Sequence, residues 1–213
     1  FTIGLPALGT TFVSCFGYIA FARMVSGMGT TIFAAHSIAI TAEQIVYIPG
    51  YGLRVATSTL VGNALGEKDI RKLKATERVS ILITLLIMVV NGIGLYLFAY
   101  PFMRLFTNSV NAARIGSEML RLVSFSEPFF GLMIVLEGIS YGMGRTKHVF
   151  ACEAVSMWGI RIFGTFLCVN VFGLGLKAVW LCMIADNICK AILLYIFRPK
   201  HVEENADDRG ALR

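Results

Sequence analysis

Six apolar runs, each long enough to cross a bilayer, constrain this chain more than any other feature. A spanning α-helix needs about 20 predominantly apolar residues. The runs cover about 4–26, 32–66, 79–102, 113–143, 148–172 and 177–198. Hydrocarbon offers no water to satisfy backbone N–H and C=O groups, so such runs must close their hydrogen bonds internally as helices. The predicted fold class is therefore all-α membrane, a polytopic bundle of six transmembrane helices over 1–200 followed by a polar tail over 201–213. Composition agrees where it bears on the point: 56% of residues are hydrophobic and only 15% charged, against about 25% charged in soluble domains. The connectors are short, so consecutive helices are expected to be antiparallel neighbours.

The second run is the unusual one. It reads AAHSIAITAEQIVYIPGYGLRVATSTLVGNALGEKD, with Pro49, Gly50 and Gly52 near its middle and Glu43 and Arg54 inside the apolar stretch. A helix that only anchored the protein would need none of these. Proline removes a helical hydrogen bond, and charge inside lipid is tolerated where it faces protein or a watery cavity. Pro49 predicts a helix bent or locally unwound near 47–52, facing a pathway.

The net charge of +6 sits between the apolar runs, which is a topology signal and argues against nucleic acid as a partner. Lys68, Arg71, Lys72, Lys74 and Arg78 follow the second run, Arg145 and Lys147 follow the fourth, and Arg198 and Lys200 open the tail. Arg104, Arg114 and Lys177 fall on the other side. The richer side is expected to be cytoplasmic, which places both ends there and the protein in the plasma membrane. The chain begins on an apolar run at Phe1, with no basic segment or small-residue cleavage site before it. The expectation is a piece of a longer protein and not a signal peptide.

Each intramembrane acid has two readings. Glu43 reads as a proton or cation carboxylate, or a contact for a cationic substrate, set against a structural partner for a basic side chain. Arg54 lies eleven residues on, about 16 Å along an ideal helix, too far to pair with Glu43 directly and more simply paired with another helix. Adjacent antiparallel helices would allow Glu137 in the fourth run and Arg161 in the fifth to meet as an ion pair, mainly structural, with a gating or ion-pathway role as the alternative. Asp186 and Lys190, four apart on the sixth run, most simply satisfy each other. Glu127 directly precedes Pro128, which offers a second kink.

Aromatic residues, Phe16, Tyr47, Tyr51 and Phe130 among them, are candidates to line a cavity for amphipathic cations through their ring faces; packing or lipid contact is the plainer reading of each. Cys15, Cys152, Cys168, Cys182 and Cys189 all lie in apolar runs without a CxxC pair, and three scattered histidines show no metal spacing. No GxSxG, HExxH or Walker loop occurs, so an enzyme is the least supported class. No cofactor or metal is expected, and energy for transport would come from an ion gradient or another subunit. The pathway candidates are Glu43, Tyr47, Pro49, Tyr51, Phe16, Phe130 and Glu137.

Four stretches together resemble the multidrug and toxic compound extrusion (MATE) family: GLPALGTTFVSCFGYIAFARMVSGMGTTIFAAHSIAI, YIPGYGLRVATSTLVGNALGEKD, EGISYGMGRTK and WGIRIFGTF. Their order is similar to the carboxy-terminal six-helix lobe of that twelve-helix, alternating-access transporter. The resemblance implies antiport, with drugs or small amphipathic organic cations exported in exchange for H⁺ or Na⁺, and an amino-terminal lobe as partner in the bilayer. It also implies two departures. Ser14 and Phe130 stand where members with a cation site in this lobe carry a Glu and an Asp, and Tyr141 and Arg145 replace the usual Arg and Asp of the glycine turn. The coupling carboxylate is then expected mostly in the other lobe. The alternatives are a flippase for lipids or lipid-linked sugars with the same architecture, and a non-transporting scaffold or accessory subunit. A flippase needs a strongly basic cavity, whereas Arg23, Arg54, Arg121, Arg161 and Lys190 are interspersed with acids.

Overall fold

In the computed structural model the described residues are 4–197; the tail expected over 201–213 lies outside them. Among these residues the secondary structure is helical. Helix α1 is Gly4–Ser26, α2 Thr30–Gly66 and α3 Ile70–Phe106. Next come α4, Val110–Ser124, and α5, Glu127–Gly142, then α6, Thr146–Ser156. A π-helical stretch Met157–Ile162, the short α7 Phe163–Phe166 and a second π stretch Leu167–Val171 extend α6, and α8 is Leu176–Ile196. Five of these helical segments are long and apolar enough to cross a membrane, and up to six if α4 and α5 count as one bent span.

The fourth run is broken. Its two halves meet at 60°, with Ser126 as the first cap residue of α5 and proline in its first turn. Proline is tolerated there because the first N–H groups of a helix have no intrahelical acceptor. The break predicted at Pro128 thus falls just before it. The carbonyl of Val123 accepts both the backbone N–H and the hydroxyl of Ser126, at 2.7 and 2.8 Å, so this carbonyl at the buried end of α4 is satisfied.

The second run lacks the unwinding that is one of the two outcomes expected at Pro49. Helix α2 continues through Pro49 as one uninterrupted α-helix and is not unwound over 47–52. Asn91 of α3 donates to the carbonyl of Val46 at 3.1 Å, one residue from the Ile45 carbonyl that Pro49 leaves without its usual donor. Support from a neighbouring helix lets a membrane helix carry proline. The third run also starts earlier than hydropathy suggests. Asp69 caps α3 through Lys72 N–H at 2.9 Å, so Arg71, Lys72, Lys74 and Arg78 lie on the first turns of a helix and not in a loop.

Helix α3 shows how the bundle is oriented toward lipid. Its buried stripe includes Ser80, Thr84, Met88, Gly92 and Ala99, while Leu82, Leu86, Val90, Ile93 and Leu97 stand exposed on the other side. The outward face is thus large and apolar, while the inward one mixes small and polar residues with Met88, Leu95 and Met103, as suits a helix that faces hydrocarbon on one side and close helix packing on the other. Helix α5 is the hub. Residues 133–140 are all buried, because α2, α3, α6 and α8 pack around it. Glycines bring the backbones together: a Cβ at Gly138 would lie 2.7 Å from the carbonyl oxygen of Arg54, and one at Gly142 2.5 Å from that of Ser58. The G-x-x-x-G spacing of these two is the close-approach motif of membrane helices. Gly144, at φ +73°, closes α5 in a left-handed turn, with Arg145 N–H donating to Ser140 at 2.9 Å.

Candidate functional site

Helix α2 presents one polar and aromatic stripe to the interior. His36, Ile40, Glu43, Tyr47, Tyr51 and Arg54 recur every three or four residues, the spacing of one helix face, and all line a cavity of about 500 Å³. The opposing walls come from Ser14 and Tyr18 on α1, Phe130 and Glu137 on α5, Glu153 and Arg161 on the fifth run, and Asn187 and Lys190 on α8.

Three ion pairs surround this space. Arg54 donates to Glu137 at 3.0 Å. Arg161 holds its Nε 2.8 Å from Asp186, as an ionic contact and not an aligned hydrogen bond, since neither atom has a hydrogen-bond partner. Its Nη2 donates to Asn187 at 3.4 Å. Lys190 pairs with Glu153, which also accepts from Ser14 Oγ at 2.6 Å. Asp186 is further contacted by the Ser156 hydroxyl. Charges buried this deeply are tolerated because each meets an opposite charge, and removing one partner would strand the other.

Two sequence pairings are corrected. Arg161 meets Asp186 and not Glu137, because the π-helical stretch that carries it packs on α8. Asp186 and Lys190, although four apart, pair with Arg161 and Glu153 respectively, the charges that the fifth run brings against α8 where the two pack. The expected cross-helix partner of Arg54 is Glu137.

Glu43 is different from these acids. It is buried and accepts from the Tyr47 hydroxyl at 2.5 Å, and no cation forms an ion pair with it among the described residues. Tyr47 in turn stacks on Phe130, with ring centroids 3.7 Å apart and planes 13° apart. Tyr51 meets the rings of Tyr47 and Phe130 edge-on, at 6.5 and 6.1 Å. Glu127 is also fully buried, with neither carboxyl oxygen hydrogen-bonded; it packs against the backbone of Gly92 and does not line the cavity.

Five of the seven pathway candidates thus converge: Glu43, Tyr47, Tyr51, Phe130 and Glu137 line one cavity. Two do not. Phe16 is 59% exposed and lines a separate outer groove with Phe12, Ile19 and Trp158, because its side of α1 faces away from the bundle. Pro49 is exposed on the outer side of α2, where a missing N–H disturbs no inward contact. The sequence reading overlooked Glu153 and Asn187. Glu153 stands in the apolar stretch HVFACEAVS, and an acid there is itself a signal. It reaches Ser14, one of the two positions where the resemblance implies a missing carboxylate.

The sequence model of the MatE family matches residues 6–167. A Thermotoga maritima protein named "Probable multidrug resistance protein NorM" is 30% identical over 197 residues, which is 92% of this chain and 42% of that protein. The "Multidrug resistance protein NorM" of Aliivibrio fischeri is 26% identical over 158 residues, covering 74% of this chain and 34% of its own length. The chain therefore spans less than half the length of these relatives. Among solved structures, a MOP superfamily transporter from Pyrococcus furiosus superposes with a TM-score of 0.85 at 17% identity, over 92% of this chain and 44% of that one. The Vibrio cholerae MATE transporter VcmN in its bent form gives 0.85 at 16% identity, over 95% and 46%. At such identities the likeness establishes the fold.

Proposed function

The chain belongs to the MatE family, an integral membrane transporter family, and from that premise we propose that it forms one lobe of a secondary active antiporter. The proposed activity is export of drugs or small amphipathic organic cations in exchange for H⁺ or Na⁺. An amino-terminal lobe supplies the opposite wall, in the plasma membrane with both ends of this lobe cytoplasmic. The names of the relatives, multidrug resistance protein NorM, support the cargo class. Their greater length supports a second lobe.

The observation that carries the reading is Glu43 in its setting. It is the lining carboxylate that the ion pairs of this wall leave to a hydroxyl partner, and it stands beside the stacked rings of Tyr47 and Phe130. Ring faces and a buried acid attract a delocalised cation, and the same acid can exchange a proton or metal ion with it. Binding cargo and coupling ion at overlapping groups makes their occupancies mutually exclusive, which is the thermodynamic content of antiport. The flippase reading loses support because Arg54, Arg161 and Lys190, the basic groups of the cavity, are each paired with a carboxylate, leaving little net positive field for a pyrophosphate.

The test is Glu43→Gln in the full-length protein that carries this chain, expressed in an efflux-deficient strain. Drug tolerance is expected to fall to that of cells without the transporter, at equal protein abundance. Full tolerance would make Glu43 a packing residue and remove the observation on which the reading stands.

A further inference from the structure

Two further cation positions of this cavity, apart from Glu43, are filled by the lobe's own arginines. The Arg54 guanidinium carbon lies 5.2 Å from the centre of the Tyr51 ring while Nη1 is 3.0 Å from Glu137. Arg161 sits in the same manner over Tyr18, at 5.6 Å, and beside Asp186. The two are held to different depths. The Arg161 side chain is 6% exposed and that of Asp186 0%, and Arg161 also reaches Asn187 and the ring of Phe21. Arg54 is 33% exposed, and its carboxylate partner only 9%.

We propose that Arg54 is a resident stand-in for cargo: its guanidinium fills a cation subsite made by the Glu137 carboxylate and the Tyr51 ring face, and an organic cation binds there by displacing it. The inference rests on the cation-export reading and adds what competes for the site. A carboxylate as buried as Glu137 is costly to leave alone. A site that is empty for part of every transport cycle therefore needs an internal counter-charge. Arg54 supplies one on a long, half-exposed side chain that can swing out toward open space with its head still hydrated. Gly138 lets α5 rest directly on the Arg54 carbonyl, so the two helices that carry the pair sit at close approach. Arg161, enclosed on all its polar contacts, stays as a fixed part of the wall. Cargo matching this subsite carries one delocalised positive charge on a flat or aromatic body, the same features a guanidinium offers to Tyr51.

The experiment is an ethidium titration, read by fluorescence anisotropy, on the full-length protein in lipid nanodiscs. Arg54→Gln removes the competitor and is expected to tighten ethidium binding about tenfold, equivalent to about 1.4 kcal/mol. Glu137→Gln is expected to weaken it, and adding Arg54→Gln to Glu137→Gln to change nothing further, since the competition requires the carboxylate. Arg54→Lys keeps the charge but not the planar stack and should tighten binding by a smaller factor, which provides the test if the glutamine variant does not fold. Unchanged or weaker ethidium binding in either Arg54 variant overturns the proposal. So does an anionic dye, fluorescein, that binds the wild type and is lost in Arg54→Gln, because Arg54 would then be a cargo ligand itself. A wild-type protein that binds no ethidium refutes the cation-export reading and this inference with it. Wild-type binding indifferent to Arg54 sinks the inference alone.

Discussion

Gly138→Ala is the substitution through which the packing and the site can be tested together. An added Cβ would stand 2.7 Å from the carbonyl oxygen of Arg54 and 3.2 Å from its Cα. Cβ contacts below 3.0 Å are essentially never seen, and both obstructing atoms belong to the α2 backbone, so no rotamer change relieves the overlap. Helices α2 and α5 must separate by a few tenths of an ångström. The same shift lengthens the Arg54–Glu137 pair and unseats Tyr47 from Phe130, since all four residues bridge these two helices. Overpacking of this kind costs about 1–3 kcal/mol. Gly94→Ala is the control: it lies inside α3 with nothing within 4 Å of the added Cβ, and removing a mid-helix glycine should gain about 0.5–1 kcal/mol. Thermal unfolding of the purified full-length protein in detergent is expected to rank Gly94→Ala at or above wild type and Gly138→Ala clearly below. Wild-type stability in Gly138→Ala would refute the idea that α5 is seated on the α2 backbone, and with it the fixed geometry argued for the cation subsite.

Two further outcomes are expected. Lys190→Met strands Glu153 in the bundle and should cost about 3–5 kcal/mol of stability, most of it recovered in the Glu153→Gln, Lys190→Met double variant; equal instability of single and double variants in the same unfolding assay would show that the pair is not a unit. A cysteine introduced at Lys72, on the first turns of α3, should react with a membrane-impermeant maleimide in inside-out vesicles and not in intact cells, and the reverse pattern would invert the proposed orientation.

Much of this protein is determined by local sequence. The apolar runs dictate helices because hydrocarbon leaves a backbone no other partner, and the glycine turn after α5 and the break before Pro128 follow from conformational preferences of single residues. The stripe from His36 to Arg54 was legible in part, since polar groups spaced by three and four must share a helix face. Which side chain answers which was not. Glu137 meets Arg54, Asp186 meets Arg161 and Lys190 meets Glu153, against the nearest-neighbour pairings that sequence spacing favours. Those choices depend on helix rotation and on the approach distance that glycines such as Gly138 permit, and both arise only when α2, α6 and α8 close around α5. Nor could one chain segment reveal that Phe16 and Pro49 face outward, because an aromatic ring and a proline suit lipid as well as a cavity. Sequence specifies where charge enters the membrane; tertiary packing decides how that charge is neutralised, because a buried charge is stabilised by whichever opposite charge the packed helices bring within reach.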